Sequence, residues 1–95
     1  MDLISIREKV APICRKNGLA MLGVFGSAAR GEETPESDID IVVRFKNPVS
    51  LIDLIRLGDD LEKTLGRPVD LGTDDSLHPL IRDSVMADLR IVYEG

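Results

Sequence analysis

Apolar residues recur along the chain in two rhythms, which predict helices alternating with strands. Near the start they follow one another at intervals of three and four residues, typical of one face of an amphipathic helix. This first stripe consists of Leu3, Ile6, Val10, Ile13 and Cys14. Asn17 and Gly18 form a typical helix end, and Pro12 inside the stripe predicts a kink or a division of the helix.

Short apolar runs predict the strands. Residues 19–25 and 38–45 each form such a run, bounded by glycine, proline or polar residues. Residues 69–71 predict a third strand, and residues 90–93 form a terminal strand or a tail. Residues 32–36 are polar and contain a proline, which predicts a loop.

A second helical stripe lies in the middle of the chain, and a last helix is predicted over residues 79–89. The middle stripe consists of Leu51, Leu54, Ile55, Gly58, Leu61 and Leu65. Ile52 and Leu57 fall outside it, so they either complete the core or mark a docking surface. The alternation favours an α/β or α+β fold, one domain over residues 1–95. The link between the first two strands is short for a helical crossover, which favours antiparallel or mixed pairing.

Composition and charge exclude several classes of function. The chain has 95 residues and a net charge of −5, and its twelve Lys and Arg form no basic run. Direct binding to a nucleic-acid backbone needs a basic face, so metal ions and basic partner proteins fit better. The single cysteine, Cys14, makes no internal disulfide and is expected in the core. We find no signal peptide and no apolar run of membrane-spanning length, which predicts a cytoplasmic protein.

The second predicted strand carries two acids where alternation places them together. Asp38 and Asp40 would lie on one face of this strand, whereas Ile39 and Ile41 would point into the core. Adjacent like charges raise the pKa of at least one carboxyl group. A divalent cation removes the conflict, and Mg²⁺ prefers oxygen ligands and substrate phosphates.

A glycine-serine turn ends the first predicted strand and supplies a place for phosphate. Gly26 permits close approach of an anion, and Ser27 adds a hydroxyl donor at the start of a helical turn. A phosphate site beside two metal-binding carboxylates is typical of enzymes that catalyse phosphoryl or nucleotidyl transfer. Asp70, between two apolar residues, is the best third carboxylate, with Asp74 or Asp75 as substitutes. It would accept the proton of an attacking hydroxyl or hold a second ion.

These residues resemble the signature of the polymerase-beta-type nucleotidyltransferase superfamily. The string G-S-A-A-R-G at residues 26–31, with S-D-I-D at residues 37–40, is similar to the minimal nucleotidyltransferases of bacteria and archaea. Many of these are encoded beside a HEPN-domain partner as toxin–antitoxin pairs. The resemblance covers residues 19–92 and implies a small mixed sheet flanked by helices.

The resemblance also implies a site and an activity. It implies two Mg²⁺ ions held by Asp38, Asp40 and Asp70, and a nucleoside triphosphate bound at Gly26 and Ser27. It implies AMP transfer from ATP to a tyrosine of the HEPN toxin, with pyrophosphate leaving. Larger superfamily members use a second domain to hold the base and the acceptor. We expect no such domain in this chain of 95 residues, so either a partner chain, in a homo- or hetero-oligomer, supplies those contacts or binding is weak.

Four questions stay open at this point. Arg30 contacts the triphosphate or a carboxylate, or it closes the short turn at the surface. Ser37 is expected to bond its own loop, and His78 to precede the last helix rather than bind metal. A second function is a non-catalytic antitoxin that blocks its toxin by direct contact. A third is nucleotidyl transfer to a small molecule such as an aminoglycoside, against which the missing second domain argues.

Overall fold

The computed structural model describes residues 2–31, 34 and 37–95. Helices and strands alternate through these residues. In chain order they are α1 Leu3–Asn17, β1 Leu19–Phe25, α2 Gly26–Arg30, β2 Ile39–Phe45, α3 Leu51–Leu65, β3 Val69–Thr73, α4 Pro79–Asp88 and β4 Arg90–Glu94. The segment left open as strand or tail is therefore strand β4. Of the predicted loop over residues 32–36, all but Thr34 lies outside the described residues.

The four strands form one mixed sheet in the order β3-β2-β1-β4. β1 is antiparallel to both β2 and β4, whereas β2 and β3 are parallel. The helix between β2 and β3 provides the long crossover that a parallel pair needs. The predicted fold, a small mixed sheet flanked by helices, is confirmed.

The core lies between one face of this sheet and helices α1 and α3. Ile39, Ile41 and Val43 of β2 are fully buried in it, as their alternation predicts. Cys14 of α1 is also fully buried, and burial raises the pKa of its thiol to about 11. The interpretation of Cys14 as a core residue is confirmed.

Helix α1 is one continuous helix in spite of its internal proline. Asp2 caps its start by accepting a 2.7 Å hydrogen bond from the Ser5 N–H, and Gly18 ends it with a left-handed backbone. Pro12 is exposed, so its ring faces solvent. The predicted division of the helix at Pro12 was wrong.

The buried face of α3 differs from the predicted stripe. Leu57 and Leu61 are fully buried and Leu65 is nearly so, whereas the predicted core residues Leu51 and Ile55 are 71% and 56% exposed. Apolar residues on both sides of this helix create overlapping stripes, and the position of the sheet decides which one is buried. Of the two residues outside the stripe, Leu57 completes the core and Ile52 is exposed.

In the part of the chain that the structure describes, we find no helix with both the length and the apolar character to cross a membrane.

Candidate active site

Two acids from distant parts of the sequence meet on neighbouring strands. Asp40 of β2 lies directly opposite Asp70 of β3 in the parallel ladder, and on its other side it pairs with Phe25 of β1. Neighbouring strands lie about 4.8 Å apart, so the two side chains leave the sheet side by side. Asp70 is exposed because β3 is an edge strand, whereas Asp40 is partly buried. The strand register therefore places Asp40 and Asp70 next to each other, as predicted from the sequence.

Asp38 lies just before the strand rather than in it. Strand β2 begins at Ile39, whose N–H donates a 2.9 Å hydrogen bond to the Pro68 carbonyl oxygen. Because Asp38 precedes the strand, strand alternation does not fix the direction of its side chain, which is exposed. The sequence placed the start of this strand one residue too early.

The three carboxylates nevertheless interact electrostatically. Burial raises the pKa of Asp40, and the negative charges of Asp70 and Asp38 raise it further, whereas Arg30 opposes them. Among the described residues, no three His, Cys, Asp or Glu side chains are grouped closely enough to hold a metal ion as they lie. The metal site at Asp38, Asp40 and Asp70 thus stays a prediction. Its donor set, three carboxylates of which one is partly buried and repelled by the others, suits Mg²⁺.

Gly26 allows the turn after β1 to pass against Asp40. Its φ of +70° belongs to the left-handed region, which glycine adopts at little cost. A Cβ atom at this position would overlap Oδ2 of Asp40. Ser27 follows as the second residue of α2 and is partly buried. The sequence motif therefore brings the glycine-serine turn and the acid Asp40 into direct contact.

Arg30 ends α2 and connects it to α4. One of its terminal nitrogens lies 2.6 Å from Oδ2 of Asp88, the last residue of α4. The same guanidinium favours the charged form of Asp40. Arg30 thus contacts a carboxylate, that of Asp88, and is also exposed at the end of the short helical turn, so these two alternatives hold together. Its contact with a triphosphate stays a prediction.

Asp88 is the residue that sequence reasoning missed. It lies 58 positions from Arg30 and belongs to none of the recognised motifs. The pair forms because α4 returns across the sheet to contact α2 and β1. An acid at the end of a predicted helix, where cations are favoured, was the one available signal.

Two residues that were expected to have structural roles have them. The Ser37 hydroxyl accepts a 3.0 Å hydrogen bond from the Thr34 N–H within its own loop. Nδ1 of His78 accepts a 3.1 Å hydrogen bond from the Leu80 N–H and so caps the start of α4. The predicted loop bond of Ser37 and the predicted place of His78 before the last helix are confirmed.

The substitutes for Asp70 lie at the other end of β3. Asp74 forms a 2.7 Å ion pair with Arg44, and its N–H bonds the Val43 carbonyl. Since Asp70 is opposite Asp40 and Thr73 is opposite Val43, Asp74 lies about 13 Å along the sheet from Asp70. Asp75 follows it still further along the chain. Asp70 is the acid beside Asp40.

With this geometry in place, comparison with known proteins identifies the family. The sequence profile of the nucleotidyltransferase domain matches residues 6–92. This chain belongs to the nucleotidyltransferase domain family. The predicted resemblance and the predicted enzyme class, a nucleotidyltransferase, are confirmed.

Individual members of the family resemble this nucleotidyltransferase over most of its length. A candidate protein adenylyltransferase of Methanocaldococcus jannaschii is 44% identical over 86 residues, which are 90% of this chain and 92% of the relative. The protein adenylyltransferase MntA of Thermococcus cleftensis is 42% identical over 76 residues, 80% of this chain and 75% of MntA. A crystal structure of a toxin–antitoxin with AMP-PNP aligns with a TM-score of 0.80 and 25% identity, covering 94% of this chain and 73% of that one.

Proposed function

We propose that this nucleotidyltransferase transfers AMP from Mg²⁺-bound ATP to a tyrosine hydroxyl of a HEPN-domain toxin and thereby acts as its antitoxin. The meeting of Asp40 and Asp70 against the Gly26 turn carries the proposal. The names of two relatives, which are protein adenylyltransferases, and the resemblance to a toxin–antitoxin with an ATP analogue support it.

The three carboxylates would hold the metal ions. Asp38, Asp40 and Asp70 concentrate negative charge in one region: burial raises the pKa of Asp40, and the charges of Asp70 and Asp38 raise it further. Bound Mg²⁺ would offset the negative charge of the triphosphate. Before the metal binds, Arg30 is the cation that partly balances Asp40.

The remaining residues have distinct roles in the transfer. Gly26 and Ser27 bind the triphosphate at the start of α2. Arg30, at the end of the same helix, donates charge-assisted hydrogen bonds to the negatively charged phosphate oxygens. The tyrosine oxygen forms a bond to the α-phosphorus, the bond to the β-phosphate oxygen breaks, and pyrophosphate leaves. Asp70, on the exposed edge strand, accepts the tyrosine proton.

Intact mass of the partner tests this proposal. The toxin is co-expressed with wild type or with the Asp38→Ala/Asp40→Ala variant. We expect the mass of the toxin to increase by one or more AMP units only when it is co-expressed with wild type. Removing two metal ligands is expected to reduce the rate of AMP transfer at least about a hundredfold. Mutating residues that merely orient metal ligands already lowers metal affinity or activity about 10–100-fold. Asp59→Ala/Asp60→Ala on α3 removes the same charge away from the site and is the matched control.

The alternative, antitoxin action by contact alone, predicts a different result. Cells would still be protected by the Asp38→Ala/Asp40→Ala variant, and the toxin would gain no mass with either protein. Unfolding midpoints of both double variants show whether the fold is intact. Retained AMP transfer in the folded Asp38→Ala/Asp40→Ala variant would contradict the proposed site.

A further inference from the structure

We propose that Asp88 is a positioning residue for nucleotide binding: it holds the guanidinium of Arg30, at the end of the five-residue helix that begins at Gly26. This inference rests on the proposed function, in which Arg30 binds the triphosphate. It adds a residue from α4 to a site otherwise built from α2, β2 with the residue before it, and β3.

Arg30 has a direct acidic partner in Asp88, and the helical turn that it ends begins at the candidate site. Its terminal nitrogen donates to Oδ2 of Asp88 at 2.6 Å, a short charge-assisted hydrogen bond. The positive charge of the same guanidinium also opposes the rise in the pKa of Asp40. Gly26, at the other end of this five-residue helix, contacts Asp40 directly. Asp88 thus anchors the arginine at one end of the helix whose other end contacts Asp40.

The position of Asp88 is unfavourable for α4 itself. It is the last residue of the helix, where the helix dipole favours cations, and the last turn of α4 contains no basic residue. Arg90 donates to the carbonyl oxygens of Asp88 and Leu89 and so satisfies part of this helix end. The Asp88 carboxylate therefore finds its favourable partner across the fold, in Arg30.

An arginine side chain can serve both partners at once. Its planar guanidinium has five N–H donors, so one edge can bond a carboxylate while another faces a phosphate. Fixing a long, flexible side chain before the ligand arrives reduces the entropy lost on binding. The pair is accessible, with side chains 46% and 39% exposed, so several-fold effects are expected rather than complete loss.

The test measures the dissociation constant of Mg²⁺-bound AMP-PNP and, in the transfer assay with the toxin, KM for ATP and kcat. Asp88→Asn keeps the shape and removes the charge, and we expect weaker binding by roughly two- to fivefold. KM should rise by the same factor while kcat stays unchanged. The matched control is Asp83→Asn, an exposed acid on the same helix, which should bind the nucleotide like wild type.

A double-mutant cycle separates positioning from a general structural role. Arg30→Gln should weaken binding by roughly ten- to a hundredfold, and adding Asp88→Asn to it should cause no further loss. Unchanged affinity in Asp88→Asn, or an equal loss with and without Arg30, would overturn the inference.

Failure of the proposed function gives a different pattern. If wild type binds AMP-PNP but adds no AMP to the toxin, the transfer proposal fails while the binding cycle still decides the role of Asp88. If wild type does not bind AMP-PNP at all, both proposals fall.

Discussion

Replacing Gly26 by alanine tests the contact on which the candidate site depends. The substitution adds one methyl group at a residue with a φ of +70°, where that methyl would overlap Oδ2 of Asp40. Gly18 is the matched control, because its φ is +66° and a Cβ there would meet nothing within 4 Å. Both alanines have the same backbone strain, and Gly26→Ala alone displaces the Asp40 carboxylate.

The two costs can be separated in magnitude. An alanine in the left-handed region costs roughly 1–2 kcal/mol in the free energy of unfolding, which is the whole expected effect of Gly18→Ala. Gly26→Ala adds a non-preferred rotamer of Asp40, roughly 0.5–1.5 kcal/mol more. Moving a catalytic carboxylate by about 1 Å is expected to reduce AMP transfer about a hundredfold. Gly18→Ala should retain the wild-type transfer rate.

Urea unfolding at 25 °C and single-turnover AMP transfer measure these effects. In an Asp40→Ala background the overlap is gone, so Gly26→Ala should cost no more stability than Gly18→Ala. If Gly26→Ala and Gly18→Ala prove equal in both stability and transfer, the contact with Asp40 has no importance and the reasoning is refuted.

Three further predictions concern Asp40 and the core. The pKa of Asp40 is raised above its usual 3.8, so ionising it costs stability. Wild type should lose stability relative to Asp40→Asn as pH rises from about 4 through the raised pKa. The same difference in unfolding midpoint between wild type and Asp40→Asn at pH 3 and at pH 7 would contradict this. The Cys14 thiol, fully buried and with a pKa of about 11, should react with a thiol reagent in urea but not in buffer, and fast labelling of the folded protein would show that it is accessible. Leu57→Ala should lower the unfolding free energy by roughly 2–5 kcal/mol and Leu51→Ala by less than about 0.5 kcal/mol; the reverse order in urea unfolding would restore the stripe predicted from sequence.

The sequence predicted the elements well where one local signal dominates. Strand β1 is an apolar run bounded by glycines, and its predicted limits match the structure. It predicted the buried face of α3 less well, because Leu51, Ile55 and Leu57 are equally apolar and the choice among them depends on where the sheet lies. Pro12 breaks a helix by local rules, yet its side chain faces solvent and the core residues on both sides of it keep α1 continuous.

The candidate site was predictable to the extent that it belongs to one contiguous motif. Gly26 and Asp40 were found from their local patterns, and Asp70 from an acid between two apolar residues. The register that places Asp70 opposite Asp40 is a property of the folded sheet. The role of Asp88 could not be predicted from the sequence, because its ion pair with Arg30 joins two helix ends and depends on how α4 packs on α2.

The arrangement explains why an acid is tolerated in a strand with a buried core face. Ile39 and Ile41 fix β2 in one register, since a slip of one residue would turn them out of the core and Asp40 into it. That register pairs Asp40 with Phe25 of β1, which brings it against Gly26 in the turn that follows, and places it beside Asp70 of β3. The apolar residues that stabilise the fold therefore also bring the charges together, and a cation from outside the chain is the simplest way to relieve their repulsion. Added Mg²⁺ should accordingly raise the unfolding temperature of wild type more than that of Asp40→Asn.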